Sequence, residues 1–142
     1  MAQSFISIKK FVDEPYSQIL GYPNATNRQI KSRVNELEKL RVSVRLINIH
    51  TIKPIDREII IKAAMETQAI LTVEEHSITG GLGSCVAEVL AEANCVYHSF
   101  KRLGLNDVFP QGYGNYQEMK ALNGLSKDDI VREVNDLLDG NG

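Results

Sequence analysis

Two spacings of apolar residues run along this chain, one of period two or continuous, the other near 3.6. The segment Val42-Ser43-Val44-Arg45-Leu46-Ile47-Asn48-Ile49 is β-branched and mostly apolar, as a strand covered on both faces would be. Pro54 breaks it, and Asp56 is placed to cap a helix that carries Ile59, Ile60, Ala63 and Ala64. Ala69-Ile70-Leu71-Thr72-Val73 reads as another buried strand, running into Glu74-Glu75-His76 and a turn with Gly80, Gly81 and Gly83. A helix follows, with Leu82, Val86, Val89, Leu90 and Ala93 along one side. The stretch from Tyr97 to Leu103 alternates as a strand, and Gly104 to Gly114 reads as a loop around Pro110. Tyr116 to Leu122 predicts a short helix. A stronger one follows, where Ser126 and Asp129 make a capping box ahead of the stripe Ile130, Val134, Leu137 and Leu138.

The N-terminal part is less regular. Phe5, Ile6, Ile8, Phe11 and Val12 are apolar but keep neither period, and Pro15 interrupts them. Residues 1–15 are therefore expected to be an N-terminal arm or the remnant of a linker, with the domain proper over 16–142. Ser17 to Tyr22 reads as a strand, closed by Pro23-Asn24. Thr26 and Gln29 then open a helix carrying Ile30, Val34 and Leu37 and ending near Arg41. Strands and helices alternating in this way imply an α/β three-layer sandwich, with a mainly parallel, four- to five-stranded sheet and helices on both faces.

Composition narrows the function classes. A chain of 142 residues with 43% apolar content can bury one sizeable core without a metal or disulfide staple. Its 16 basic and 18 acidic residues are interspersed, and the densest basic stretch, Arg28 to Arg45, is broken by Glu36 and Glu38, so nucleic acid is not an expected partner. No apolar run nears the roughly 20 residues of a membrane span, and the start of the chain lacks a signal-peptide pattern. Cys85 and Cys95 sit in apolar contexts as small hydrophobes, a usage that fits the cytoplasm.

In an open parallel sheet, ligands gather beyond the carboxyl ends of strands. Three polar segments are expected there: Asn48 to Asp56, Glu74 to Gly83, and Gly104 to Asp107. The glycine turn invites an anion at a helix N-terminus. However, Val86 stands where a dinucleotide fingerprint wants a third small residue, and no P-loop lysine is present. Tight packing of the helix start against the sheet is the favoured reading. Glu74 or Glu75 beside His76 could tune an acid/base pair, or line an interface through hydrogen bonds. His50 and Asp56 lack further metal ligands at workable spacing, and His98 reads as structural. Neither cysteine has the local setting of a nucleophile, so no complete catalytic constellation is legible.

Two of these segments carry a family resemblance. Ser43 through Asp56, with its run Asn48-Ile49-His50-Thr51-Ile52-Lys53-Pro54-Ile55-Asp56, resembles a strand and loop of the transketolase C-terminal domain. Thr72 through Ser84, continued by Ala87-Glu88-Val89-Leu90, resembles that domain's next strand, glycine turn and helix. Gly104-Leu105-Asn106-Asp107-Val108-Phe109 resembles its following motif. Before Val42 the likeness rests on pattern alone, because Gly21-Tyr22-Pro23-Asn24-Ala25 stands where the family has a small-residue turn. The resemblance implies a module of a ketol-transferring enzyme that supports assembly and dimerisation of its partners and is inactive in isolation. Those partners would be thiamine-diphosphate-binding domains, in the same enzyme or in a separate N-terminal subunit. Thiamine diphosphate and a divalent cation, Mg or Ca, belong to the parent enzyme, and this chain would bind neither. It also implies a homodimer. His50, Asp56, Glu74, Glu75, His76, Gly80 and Gly81 then serve as an interface or as indirect active-site support. The alternative is a free-standing module that binds a small anion or regulates another protein.

Overall fold

The computed structural model describes residues 3–10, 42–96, 99–108 and 112–139. The strand expected at Ser17 to Tyr22, the helix expected after Thr26, and His98 lie outside these residues. Among the described residues four strands form one sheet: β1 (Gln3–Lys10), β2 (Val42–Asn48), β3 (Ala69–Ser77) and β4 (Ser99–Leu105), in the order β2-β1-β3-β4. Four described helices accompany them: α1 (Arg57–Glu66), α2 (Leu82–Glu92), α3 (Tyr116–Leu122) and α4 (Lys127–Leu138).

β3 and β4 pair in parallel, with Ala69 opposite Ser99 and Val73 opposite Leu103. β1 runs antiparallel to both its neighbours, with Ile6 opposite Leu46 on one side and Leu71 on the other. Consequently β2, β3 and β4 all point the same way and bring their carboxyl ends to one edge. β1 falls inside the stretch whose apolar pattern suggested an arm. A strand in a sheet covered by helices on both faces need not alternate in sequence, so its local pattern was uninformative. Its register is instead set by non-local backbone pairing.

The two faces of β3 are readable residue by residue, because successive side chains point to opposite sides. Ala69, Leu71 and Val73 join Val42, Val44 and Leu46 of β2 in a core beneath α4, where Ile130, Val134 and Leu137 are buried. Ile70 joins Ile47 and Ile49 beneath α1 and α2, against Ile60, Ala63, Ala64, Leu82, Val86, Val89 and Leu90. Helices on both faces of the sheet make the three-layer α/β sandwich expected from the pattern. Fully burying each of the Val, Leu and Ile side chains contributes roughly 1.5–3 kcal/mol, before the loss of conformational entropy is subtracted.

The helix ends are chemically specified. Asp56 accepts from Ile59 N at 3.2 Å and starts α1. Ser126 and Asp129 exchange reciprocal bonds at the start of α4, and Asn115 and Glu118 do the same for α3. The carboxyl group of Asp129 is held below the ordinary carboxylate range, chiefly by its hydrogen bond from the Ser126 side chain. Cys85 and Cys95 are free and half-buried.

Candidate functional site

The shared edge of the sheet carries the segments singled out from sequence. Glu74 is the centre of this region. Its carboxylate is fully buried and accepts from Leu82 N at 2.7 Å and from Gly83 N at 3.0 Å, the first two amides of α2. The cap position itself, Gly81, offers no side chain, so the strand supplies the missing acceptor across the turn. A negative group at the positive end of the helix dipole is favourable there, and burial strengthens the bond by excluding water.

The glycines follow from this carboxylate. A Cβ on Gly81 would land on Glu74 Oε2 and come within 2.8 Å of the Ser77 carbonyl. A Cβ on Gly104 of β4 would lie 2.9 Å from Glu74 Cγ. Gly80, at φ +71°, turns the chain in the left-handed region that favours glycine. The turn is also held from outside. Arg102 of β4 donates through Nη1 to Ile78 O at 3.1 Å and to Ser84 Oγ at 3.2 Å. Ser84 Oγ in turn donates to Ile78 O and accepts from Gly80 N.

Glu75 points to the other face. Both its carboxylate oxygens accept from Tyr116 Oη, at 2.6 and 2.7 Å, and Lys120 Nζ lies 3.1 Å from Oε1. The Lys120 ammonium also sits 5.1 Å from the centre of the Tyr116 ring. Thus the two adjacent glutamates serve different helices, α2 and α3, on opposite sides of the sheet. His76 is exposed, with Nδ1 3.2 Å from the Ser77 carbonyl oxygen, and the pairing of β3 with β4 shifts register between Val73 and Ser77. His50 is exposed beyond the end of β2, its Nδ1 sharing a 2.7 Å hydrogen bond with Thr51 Oγ1. β2 and β3 are separated by β1, so their ends emerge two strand spacings apart, roughly 10 Å.

The expected site residues therefore divide. His50, Asp56, His76 and Gly80 are exposed. Glu74 and Gly81 are buried and build the turn from within. Glu75 is partly buried beneath α3. Neither His50 nor His76 shares a hydrogen bond with Glu74 or Glu75, so the geometry does not assemble the acid/base pair that the sequence left open. The contributions of Arg102, Tyr116 and Lys120 were not legible, since each reaches its partner across a long stretch of sequence. Among the described residues no cluster of three or more His, Cys, Asp or Glu is placed to hold a metal. Nor do those residues fit a diphosphate at the glycine turn: the leading amides of α2 are taken, and the group that takes them is negative.

Residues 21–130 match the family described as "Transketolase, C-terminal domain". The chain belongs to that family. The transketolase C-terminal-domain assignment agrees with curated relatives. One is the 6-deoxy-6-sulfo-D-fructose transketolase subunit SqwH of Clostridium sp. (strain MSTE9), 38% identical over 103 residues, covering 72% of this chain and 31% of the relative. Another is a putative transketolase C-terminal section of Methanocaldococcus jannaschii, 37% identical over 113 residues, covering 78% of this chain and 34% of the relative. Among solved structures, a split gene transketolase described as an inactive beta4 tetramer superposes with a TM-score of 0.67 at 36% identity, covering 79% of this chain and 36% of that one. The chain thus spans about a third of the length of these relatives, and 16% of a 1-deoxy-D-xylulose-5-phosphate synthase from Heliobacterium modesticaldum to which it is 38% identical. No helix among the described residues is long and apolar enough to cross a membrane.

Proposed function

We propose that this transketolase C-terminal domain acts as the non-catalytic module of a transketolase-type, ketol-transferring enzyme. In this reading it buttresses domains that bind thiamine diphosphate and a divalent cation, and it contributes to dimerisation. The observation that carries the reading is the internal use of Glu74. A carboxylate free to act on substrate would be exposed or poised beside a base, whereas this one is buried on the amides of its own helix. What this edge of the sheet offers outward is the turn through Gly80, with His76 beside it and His50 exposed further along at the end of β2, a surface that suits contact with a neighbouring domain. Glu74, Glu75, Asp56 and Gly81 act indirectly by fixing the elements that carry that surface. Several relatives are named as subunits or sections of transketolases, which supports a separate partner chain for the cofactor-binding domains.

The test is reconstitution. Mixing the chain with the cognate thiamine-diphosphate-binding subunit is expected to restore or raise ketol transfer from a sugar phosphate. Full transketolase activity in this chain alone would sink the proposal. A free-standing anion-binding module is disfavoured by the charge already at the α2 N-terminus. A saturable rise in melting temperature with sugar phosphate or thiamine diphosphate alone would revive it.

A further inference from the structure

One helix stands apart in how it is held. α3 buries none of its residues, and Tyr116 and Leu122 are 53% and 63% exposed. Beneath it lies a cavity of about 220 Å³, floored by Leu105, Met119 and Leu125 and rimmed by Glu75, Tyr116 and Lys120. The other three described helices each bury at least three residues against the sheet. Apolar burial is the term that ordinarily fixes a helix to its sheet, and α3 has little of it. What ties α3 down is polar: the Glu75 carboxylate accepting from Tyr116 Oη and pairing with Lys120 Nζ, one turn further along the same helix. The pair is well shielded, Lys120 being 13% and Glu75 20% exposed, so solvent competes for it less than for a surface ion pair.

We infer that α3 is a flap over the carboxyl ends of β3 and β4, and that Glu75 is its latch. Docked, the flap covers the Leu105–Met119–Leu125 cavity. Undocked, it opens that cavity while α1, α2 and α4 stay on their cores. Seven residues are too few to hold their turns away from the sheet, so opening the flap also exposes the backbone amides of α3. The inference goes beyond the assembly reading and stands on the packing of α3 alone, so it survives if that reading fails.

Native-state hydrogen exchange on the full chain tests it. In Glu75→Gln, which keeps shape and removes charge, amides of residues 117–122 are expected to lose protection on the order of tenfold, while those of α2 and α4 hold theirs. Tyr116→Phe and Lys120→Met are expected to loosen the same segment by less. Unchanged exchange over 117–122 in Glu75→Gln overturns the inference. If Glu75→Gln loosens the whole domain, Tyr116→Phe decides, because it deletes one hydroxyl from a half-exposed ring. Loosening confined to α3 then supports the latch, and none refutes it.

Discussion

Replacing Gly81 by alanine tests the reading of Glu74 most directly. The backbone at Gly81, at φ −90° and ψ −159°, is open to any residue, so the substitution introduces no strain of its own. Its effect is the new methyl group, which would occupy the place of Glu74 Oε2 and crowd the Ser77 carbonyl at 2.8 Å. The carboxylate can yield only by leaving Leu82 N and Gly83 N, and its fully buried position gives it no route to water. Hydrogen bonds to a charged group are worth about 1.5–3 kcal/mol each, and a buried charge stripped of its partners costs about 3–5 kcal/mol. Partial relaxation of the turn recovers some of this. The expected destabilisation is therefore about 3 kcal/mol, read as a lower midpoint of urea unfolding at unchanged slope. In a Glu74→Ala background the methyl group still meets the Ser77 carbonyl at 2.8 Å, and the cost is expected to fall to about 1 kcal/mol. The difference, about 2 kcal/mol, is the coupling between the two positions. A penalty below about 1 kcal/mol in the parent chain would refute the reasoning. So would an equal penalty in both backgrounds.

Other expectations follow from the same geometry. Ser126→Ala removes the acceptor for Asp129 N and is expected to cost about 1 kcal/mol in chemical denaturation. The same variant carries a pH signature. Asp129 titrates below its usual value of 3.8 in the folded protein, so its contribution is present above that value and is lost as pH falls through the lower, folded one. Thermal unfolding of the parent between about pH 5 and about pH 2.5 should accordingly show a steeper loss than Ser126→Ala, whose Asp129 lacks its main stabilising bond; parallel curves would contradict this. Val134→Ala, at a fully buried position under α4, is expected to cost about 2 kcal/mol. His50→Ala and His76→Ala, both exposed, should change stability by no more than about 0.5 kcal/mol. They are nonetheless expected to weaken reconstitution with the partner subunit, measured as a higher concentration of this chain at half-maximal activity.

Much of the architecture was legible because its signals are local. Asp56, Ser126 and the apolar stripes of α1, α2 and α4 specify their helices within a few residues of sequence, whereas β3 and β4 run on past the ends expected at Val73 and Leu103, through Glu74-Glu75-His76 to Ser77 and through Gly104 to Leu105. β1 was not legible, since its hydrogen bonds go to strands far along the chain. The site was half legible. Glycines at 81 and 83 correctly implied a tight helix start, but why tightness was needed depends on where the Glu74 carboxylate ends up. Two adjacent glutamates look equivalent in a sequence. They diverge only when the pleat sends one to α2 and the other to α3. Arg102 and Lys120 had no pattern to mark them, because a single basic residue in a strand or helix is usually a solvated one.

The placement of Glu74 and Glu75 also restricts how the gene for such a domain can change length. A strand exchanges its faces with every residue added, so one inserted between Val73 and Glu74 would present each glutamate to the wrong helix. Both would then be lost together: α2 its acceptor and α3 its tie. Insertions of two would restore the faces but push the carboxylates past their targets. The β3 terminus is thereby fixed in both parity and length, whereas the exposed stretch Gly112 to Gly114 can lengthen at little cost. Length variation among chains built this way is expected to collect after β4 and to spare the end of β3.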